Sequence, residues 1–445
     1  MANVRVNSAK PRGMERVLGP TEQVFYKVRQ LRPFNVVITA RVSGQVTETR
    51  VREALPVVRH RHPLLQANIL AESPPRFSRS TVPEMPLEVV PREHADSWLE
   101  QVNKQINLPF DATQGPLARF VLVQGENHSE LICGYDHLIG DALSGCFALR
   151  DLLRAMAPSG GRPPELPARP AYEALIGPPL PGTHVLNKVV SRTSSTLLRV
   201  SPALNRLSAR LSASSTPPPP ADKVRSGFVY RRLVPEQTER LLALCREQGS
   251  SLHGLLGAAL TLARAETLSS DKASVITLTS ALDARERFEV GEDFGLFTTG
   301  KTHLLRIRKQ EEVWGLSRKL RAPLVAARKS ATHLKLFRSA IEMSSRTVDL
   351  AAQPWMQRAT QLGLDSMLGL TNLGRLNLDA RYGDLGLEGI NFSGSVASHF
   401  DIVLAAATFA QRMDISFLYN PPLMAPELAE RIASRTCEVL AEAAR

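Results

Sequence analysis

Apolar and polar residues alternate along Asn35-Val-Val-Ile-Thr-Ala-Arg-Val, a period of two that predicts a strand. From Thr47 to Arg61 the apolar positions recur at helical spacing, and His62-Pro63 marks the stop. Leu117–Gln124 and Ser129–Tyr135 read as two strands joined by the turn-like Gly125-Glu-Asn-His, and a helix follows Asp141 through Leu143, Phe147, Leu149, Leu152 and Leu153. The second half has the same style. Helices are predicted over Pro235–Gln248 and Ser251–Glu266, and strands over Ala273–Thr279 and Thr302–Ile307. Adjacent strands follow at Asp401–Ala407 and Arg412–Tyr419, with a closing helix from Pro426. The chain therefore reads as mixed α/β, in two halves.

Between the halves the prolines cluster from Pro158 to Pro220 and end in four in a row, which neither a helix nor a central strand accepts. Inside this connector Leu186, Val190, Leu197, Val200, Leu204, Leu207 and Leu211 recur every three or four residues. Arg192, Arg199, Arg206 and Arg210 fall among the polar positions, and Pro202 predicts a kink. This is an amphipathic helical stripe, suited to packing on its own protein, to a lid, or to a membrane surface. The expected division is 1–160, a connector over 161–222, and 223–445.

At 445 residues with 43% hydrophobic and 22% charged residues, the chain is long enough for about two cores and ordinary enough to fold. No apolar run approaches the roughly 18–20 residues of a membrane span. The N-terminal residues carry charges with no apolar stretch behind them, unlike a secretory signal. Four scattered cysteines with neither zinc nor disulfide spacing point to buried thiols and a cytoplasmic setting, with no metal site expected. Of the net charge of +12, much sits between Arg162 and Arg232, with eleven basic and three acidic residues. So few aromatics accompany it that nucleic acid is not the expected partner; an acidic protein or an anionic surface fits better.

The chemistry-bearing segment runs from Leu131 to Gly145. An apolar strand gives out at Asp136-His137, Asp141 follows four residues later, and Ser144 opens a helix. A histidine at a strand end beside a helix start can project into a cleft and accept a proton near neutral pH.

This segment resembles the His-x-x-x-Asp active-site motif of the chloramphenicol acetyltransferase-like superfamily, which includes nonribosomal peptide condensation domains, polyketide-associated acyltransferases, alcohol acetyltransferases and wax-ester synthases. His137 and Asp141 match the motif, and Ser144 falls where those families often place a serine. Further pieces are similar in order and spacing: Arg61–Leu65, Gly115–Arg119, Leu282–Arg285, Gly295–Phe297, Thr371-Asn372-Leu373-Gly374, His399–Ile402 and Leu418–Asn420. Two positions depart. Asp136 stands where the fuller motif has another histidine, and Ala142 where it has glycine.

The resemblance implies two chloramphenicol acetyltransferase-like sandwich domains in a V-shaped pseudo-dimer with a tunnel between them, nearest to standalone polyketide-associated and alcohol O-acyltransferases. It implies His137 as general base, moving an acyl group to a hydroxyl, or less readily an amine, without an acyl-enzyme. Asp141 would be architectural and paired with Arg285 (Arg287 as the second choice). Asn372, Ser144 and Asp136 are candidates for oxyanion or substrate contact, although Asn372 equally fits a turn that holds its own backbone. Asp136 could raise the proton affinity of His137 or merely orient the cleft wall. No bound cofactor is expected. Acyl-CoA, or a phosphopantetheinyl carrier protein supplied in trans, would be the co-substrate, in a setting such as bacterial specialised-metabolite or lipid biosynthesis. Asp136 and Ala142 leave open a non-catalytic platform that docks carrier proteins, and the connector leaves open a peripheral membrane contact.

Overall fold

The computed structural model describes residues 15–79, 82–158, 161–178, 225–268, 273–308, 311–347, 365–397, 399–421 and 423–445. The amphipathic stripe expected at 184–212 lies outside the described residues. Helices α1 (Pro20–Arg29), α2 (Glu48–Arg61), α3 (Ser97–Asn107), α4 (Ala142–Met156) and α5 (Tyr172–Ile176) alternate with strands β1 (Asn35–Ser43), β2 (Asn68–Leu70), β3 (Arg76–Ser78), β4 (Leu87–Pro91), β5 (Ala118–Gln124) and β6 (His128–Asp136). After the connector come β7 (Gly227–Leu233), α6 (Pro235–Glu247), α7 (Leu252–Glu266), β8 (Ser274–Asp283), α8 (Arg285–Phe288), β9 (Thr298–Ile307), α9 (Val313–Lys329) and α10 (Ala331–Thr347). The chain closes with β10 (Ser366–Arg375), β11 (Arg381–Tyr382), β12 (Leu385–Gly394), β13 (Ile402–Phe409), β14 (Arg412–Tyr419) and α11 (Pro426–Ala443).

Two mixed six-stranded sheets organise these elements, in the orders β11-β12-β1-β6-β5-β4 and β7-β14-β13-β10-β8-β9. The first sheet is not built from the first half alone. β11 and β12, from the segment counted with the second half on sequence grounds, cross over: β12 pairs antiparallel with β1, and β11 extends the sheet beyond β12. Their hydrophobic faces explain the crossing: Leu385, Ile390 and Phe392 are buried in the same core as Ile38, Tyr135 and Leu149.

The alternation of β1 sorts its side chains by face. Val36, Ile38 and Ala40 join the core beneath α2 and α4, while Val37 meets Trp98, Val102 and Ile106 of α3. Strand ends position the site. In the β1–β6 ladder Asn35 faces Asp136, and the next residue continues the pairing, with His137 N–H donating to the Phe34 carbonyl at 2.8 Å. The second sheet is packed by α6, α7, α9 and α11 around Leu255, Leu278, Leu404 and Phe417. Among the described residues no helix is long and apolar enough to cross a membrane.

Candidate active site

His137 stands where β6 ends, half-buried between two aromatic rings. Phe34 stacks on it at 5.0 Å and 25°, and Phe25 of α1 meets it edge-on at 4.9 Å. Its Nδ1 lies 2.9 Å from the Gly140 carbonyl. A carbonyl oxygen only accepts, so Nδ1 carries the proton and the neutral ring presents its lone pair at Nε2. That nitrogen makes no hydrogen bond among the described residues, and the residue is only half-buried. Burial lowers the proton affinity of His137, against the opposing pull of the Gly140 carbonyl and the nearby carboxylates of Asp141 and Asp136. The group is thus an unprotonated base at neutral pH, with one nitrogen oriented and the other open.

Asp141 is the N-cap of α4, and its carboxylate is consumed inside the protein. Oδ1 accepts from Ser144 N–H at 3.1 Å and from Arg285 Nη2 at 2.6 Å, and Oδ2 accepts from Phe297 N–H at 3.1 Å. Arg285, 4% exposed, also donates to the Gly291 and Asp293 carbonyls, and its guanidinium lies 4.7 Å from the Phe297 ring centre. The pair joins the start of α4 beneath the first sheet to the start of α8, just after β8 of the second. Arg287 is exposed and donates instead to the Lys329 carbonyl at 3.2 Å.

Three sequence expectations change here. Ser144 is 0% exposed. Its hydroxyl accepts from Arg285 and from Gly295 N–H and lies 2.9 Å from Asp141 Oδ1, completing the buried junction. Asp136 is 2% exposed and bound to Arg29 at 2.5 Å, so it neither lines an open site nor raises His137 above the usual imidazole range. Burial of the ring outweighs the pull of its charge. Asn372 lies not in a turn but in the bulged end of β10. There its Oδ1 accepts from Gly374 N–H at 2.8 Å, and Gly374 takes φ +69°. Ala142, the other departure, is the first residue of α4, where helical geometry suits alanine at least as well as glycine.

Several residues around the site were not singled out as functional. Phe25 and Phe34 wall His137, yet one lies on a helix that periodicity did not reveal and the other just before β1. Gly140 left a clearer signal. A Cβ there would lie 2.5 Å from the Phe294 ring, so glycine permits the close approach that sets its carbonyl on His137. Glu292 and Asp293 belong to a second junction. Arg61 reaches Asp151 at 2.7 Å and Glu292 at 2.8 Å, Arg150 binds the same two carboxylates, and His62 Nε2 lies 3.0 Å from Asp151. Asp293 binds Arg169 at 3.1 Å. His399, two residues before Asp401, makes no hydrogen bond to it. Asp401 takes Ser366 Oγ and Met367 N–H. Among the described residues no cluster could hold a metal, and all four cysteines are free thiols, with Cys146 pushed up to about 12 by burial.

Solved structures share this architecture over nearly the whole chain. Polyketide synthase associated protein 5 from Mycobacterium tuberculosis superposes with a TM-score of 0.61 at 16% identity, covering 97% of this chain and 99% of that one. The third-module epimerization domain of tyrocidine synthetase B gives 0.61 at 18% identity, covering 97% of each chain. The trichothecene 15-O-acetyltransferase of Fusarium sporotrichioides gives 0.67 at 13%, covering 98% of this chain and 96% of that one. The chain has the condensation-domain fold. Residues 222–292 also match the family described as phthiocerol/phthiodiolone dimycocerosyl transferase C-terminus, a segment that includes Arg285. No curated protein matches the chain by sequence. Since the condensation-domain fold carries both an acetyltransferase and an epimerization domain among these neighbours, the reaction has to be argued from the residues.

Proposed function

We propose that this protein is a condensation-type acyltransferase, moving an acyl group from a thioester to a hydroxyl acceptor with His137 as general base. The observation that carries the proposal is the tautomer of His137: Nδ1–H held by the Gly140 carbonyl, Nε2 open and unprotonated. Nε2 takes the proton of the acceptor hydroxyl as its oxygen attacks the thioester carbonyl. The C–S bond then breaks, and the leaving thiolate recovers a proton from the imidazolium. A positioned base of this kind contributes about 10²- to 10⁴-fold in rate.

No acyl-enzyme is required. Burial pushes the thiols of Cys133 and Cys146 up, away from thiolate character, and Ser144 is enclosed in the Asp141–Arg285 junction. Asp141 and Arg285 hold the loop that bears His137 rather than touching substrate. The family match and the structural neighbours support acyl transfer in polyketide- or nonribosomal-peptide-related chemistry. The donor is acyl-CoA or an acyl carrier protein in trans, and ester formation is favoured over amide. Asp136 and Ala142, which on sequence grounds favoured a non-catalytic platform, leave the base intact.

The test offers a medium-chain acyl-CoA and the same acyl group on a free carrier protein, each with a panel of alcohols and amines, and follows products by intact mass. Transfer by wild type and not by His137→Ala is the expected result. Transfer that survives in His137→Ala refutes the assignment.

A further inference from the structure

Among the described residues Arg32 is a buried cation without a counter-ion. It is 6% exposed, and its guanidinium is spent on neutral acceptors: the Val396 carbonyl, Asn420 Oδ1 at 3.3 Å and Ser226 Oγ at 3.4 Å. A guanidinium offers five N–H donors, so these three contacts leave some unspent, and Nε bonds to nothing among the described residues. Other buried guanidinium groups of this protein are matched by a carboxylate: Arg41 by Asp414, Arg61 by Asp151, Arg150 by Asp151 and Glu292, and Arg285 by Asp141. Arg32 alone of this set has no carboxylate acting on it among the described residues, and burial lowers its pKa to about 10. Isolated buried charge is costly unless something compensates it.

Its position suggests what compensates. Arg32 lies two residues before Phe34, the ring stacked on His137, and its contacts come from the end of β12, the start of β7 and the end of β14. This is the seam between the two sheets, at the same end of β1 as the base. His399 stands beside it, half-buried and with no hydrogen bond among the described residues. Burial and the Arg32 charge hold its pKa at about 4, so its ring stays neutral and can donate.

We propose that Arg32, with His399, forms an anion subsite that takes a carboxylate or phosphate group of the substrate while another part of that molecule reaches His137. The planar fork of arginine suits both groups, as paired N–H donors meet paired oxygens. The inference relies on the acyl-transfer reading only for the identity of the molecule that carries the anion.

The experiment titrates the full chain at neutral pH with inorganic phosphate, with acetate and, as a control at matched ionic strength, with chloride. It follows the Nε–H resonance of Arg32 by NMR. A saturable shift with phosphate, acetate or both, absent with chloride, is expected, and its pattern tells which anion the site prefers. No saturable shift with either anion overturns the proposal and leaves Arg32 a clamp between sheets. In Arg32→Gln the rise in melting temperature that the effective anion gives wild type should be lost; a rise that persists also overturns it. Should that variant fail to fold, the wild-type titration still decides. Neither arm measures acyl transfer, so failure here and failure of the proposed reaction are separable.

Discussion

His137 keeps one ring nitrogen open beside two aromatic rings, whereas Asp141, four residues on, has both carboxylate oxygens bound inside the protein. The two belong to one short motif, yet one is left available for chemistry and the other is committed to architecture. What separates them is direction. His137 follows the last residue of β6 and turns to Phe34 and Phe25, while Asp141 caps α4 and points to the start of α8. A base has to be desolvated but reachable, and a buried carboxylate has to be paired; adjacent positions meet the two demands in opposite ways.

The sharpest way to break this contrast is to delete each side chain and read rate and stability separately. His137→Ala should lower kcat/KM by about 10²- to 10⁴-fold in the acyl-transfer assay and leave the melting temperature close to wild type. A comparable fall in melting temperature would make His137 structural as well. Asp141→Ala should cost about 3–5 kcal/mol in denaturant unfolding, because Arg285 is left buried and unpaired. Removing Arg285 in the Asp141→Ala background should then add far less than it does alone, and full additivity would dissolve the pair.

Ser144→Ala should remove about 1–3 kcal/mol of stability by stripping a partner from Arg285 and from Gly295 N–H, with KM unchanged. A raised KM would return Ser144 to the substrate. The pH profile sharpens the other side. Protonated His137 cannot accept a proton, and burial lowers its pKa, so the acid limb of kcat/KM should fall below the usual imidazole midpoint of about 6.5 and the rate should be flat from neutral pH upward. A limb at or above neutrality would mean that the carboxylates prevail over burial. The smallest effect belongs to Ala142→Gly. It should destabilise by about 0.5–1 kcal/mol without improving turnover, since the alanine is already helical.

Much of this arrangement was legible from local pattern. Asn35–Ser43 largely alternates apolar and polar residues and forms β1, while β6 forms over the continuous apolar run Leu131–Cys133 and its neighbours. The helix after Asp141 was announced by its cap and its apolar spacing. The Asp141–Arg285 pair was named through resemblance, because spacing alone does not connect residues 144 positions apart. Asn372 was misplaced for a physical reason. Its Asx contact to Gly374 looks like a turn in sequence, yet the flanking residues hydrogen-bond as a bulged strand beside β13.

By itself, the sequence determined which segments could be strand or helix and which residue types could carry acid–base chemistry, because periodicity, caps and side-chain pKa are local properties. Only the tertiary structure decided that β11 and β12 complete the first sheet, that Arg29 pairs with Asp136, that Phe25 and Phe34 wall His137, and that Arg32 meets no carboxylate among the described residues. Those outcomes depend on which distant groups share a desolvated space, and in a low-dielectric interior the partner that arrives from elsewhere in the chain sets whether a charge is matched, a ring is open or a hydroxyl is sealed.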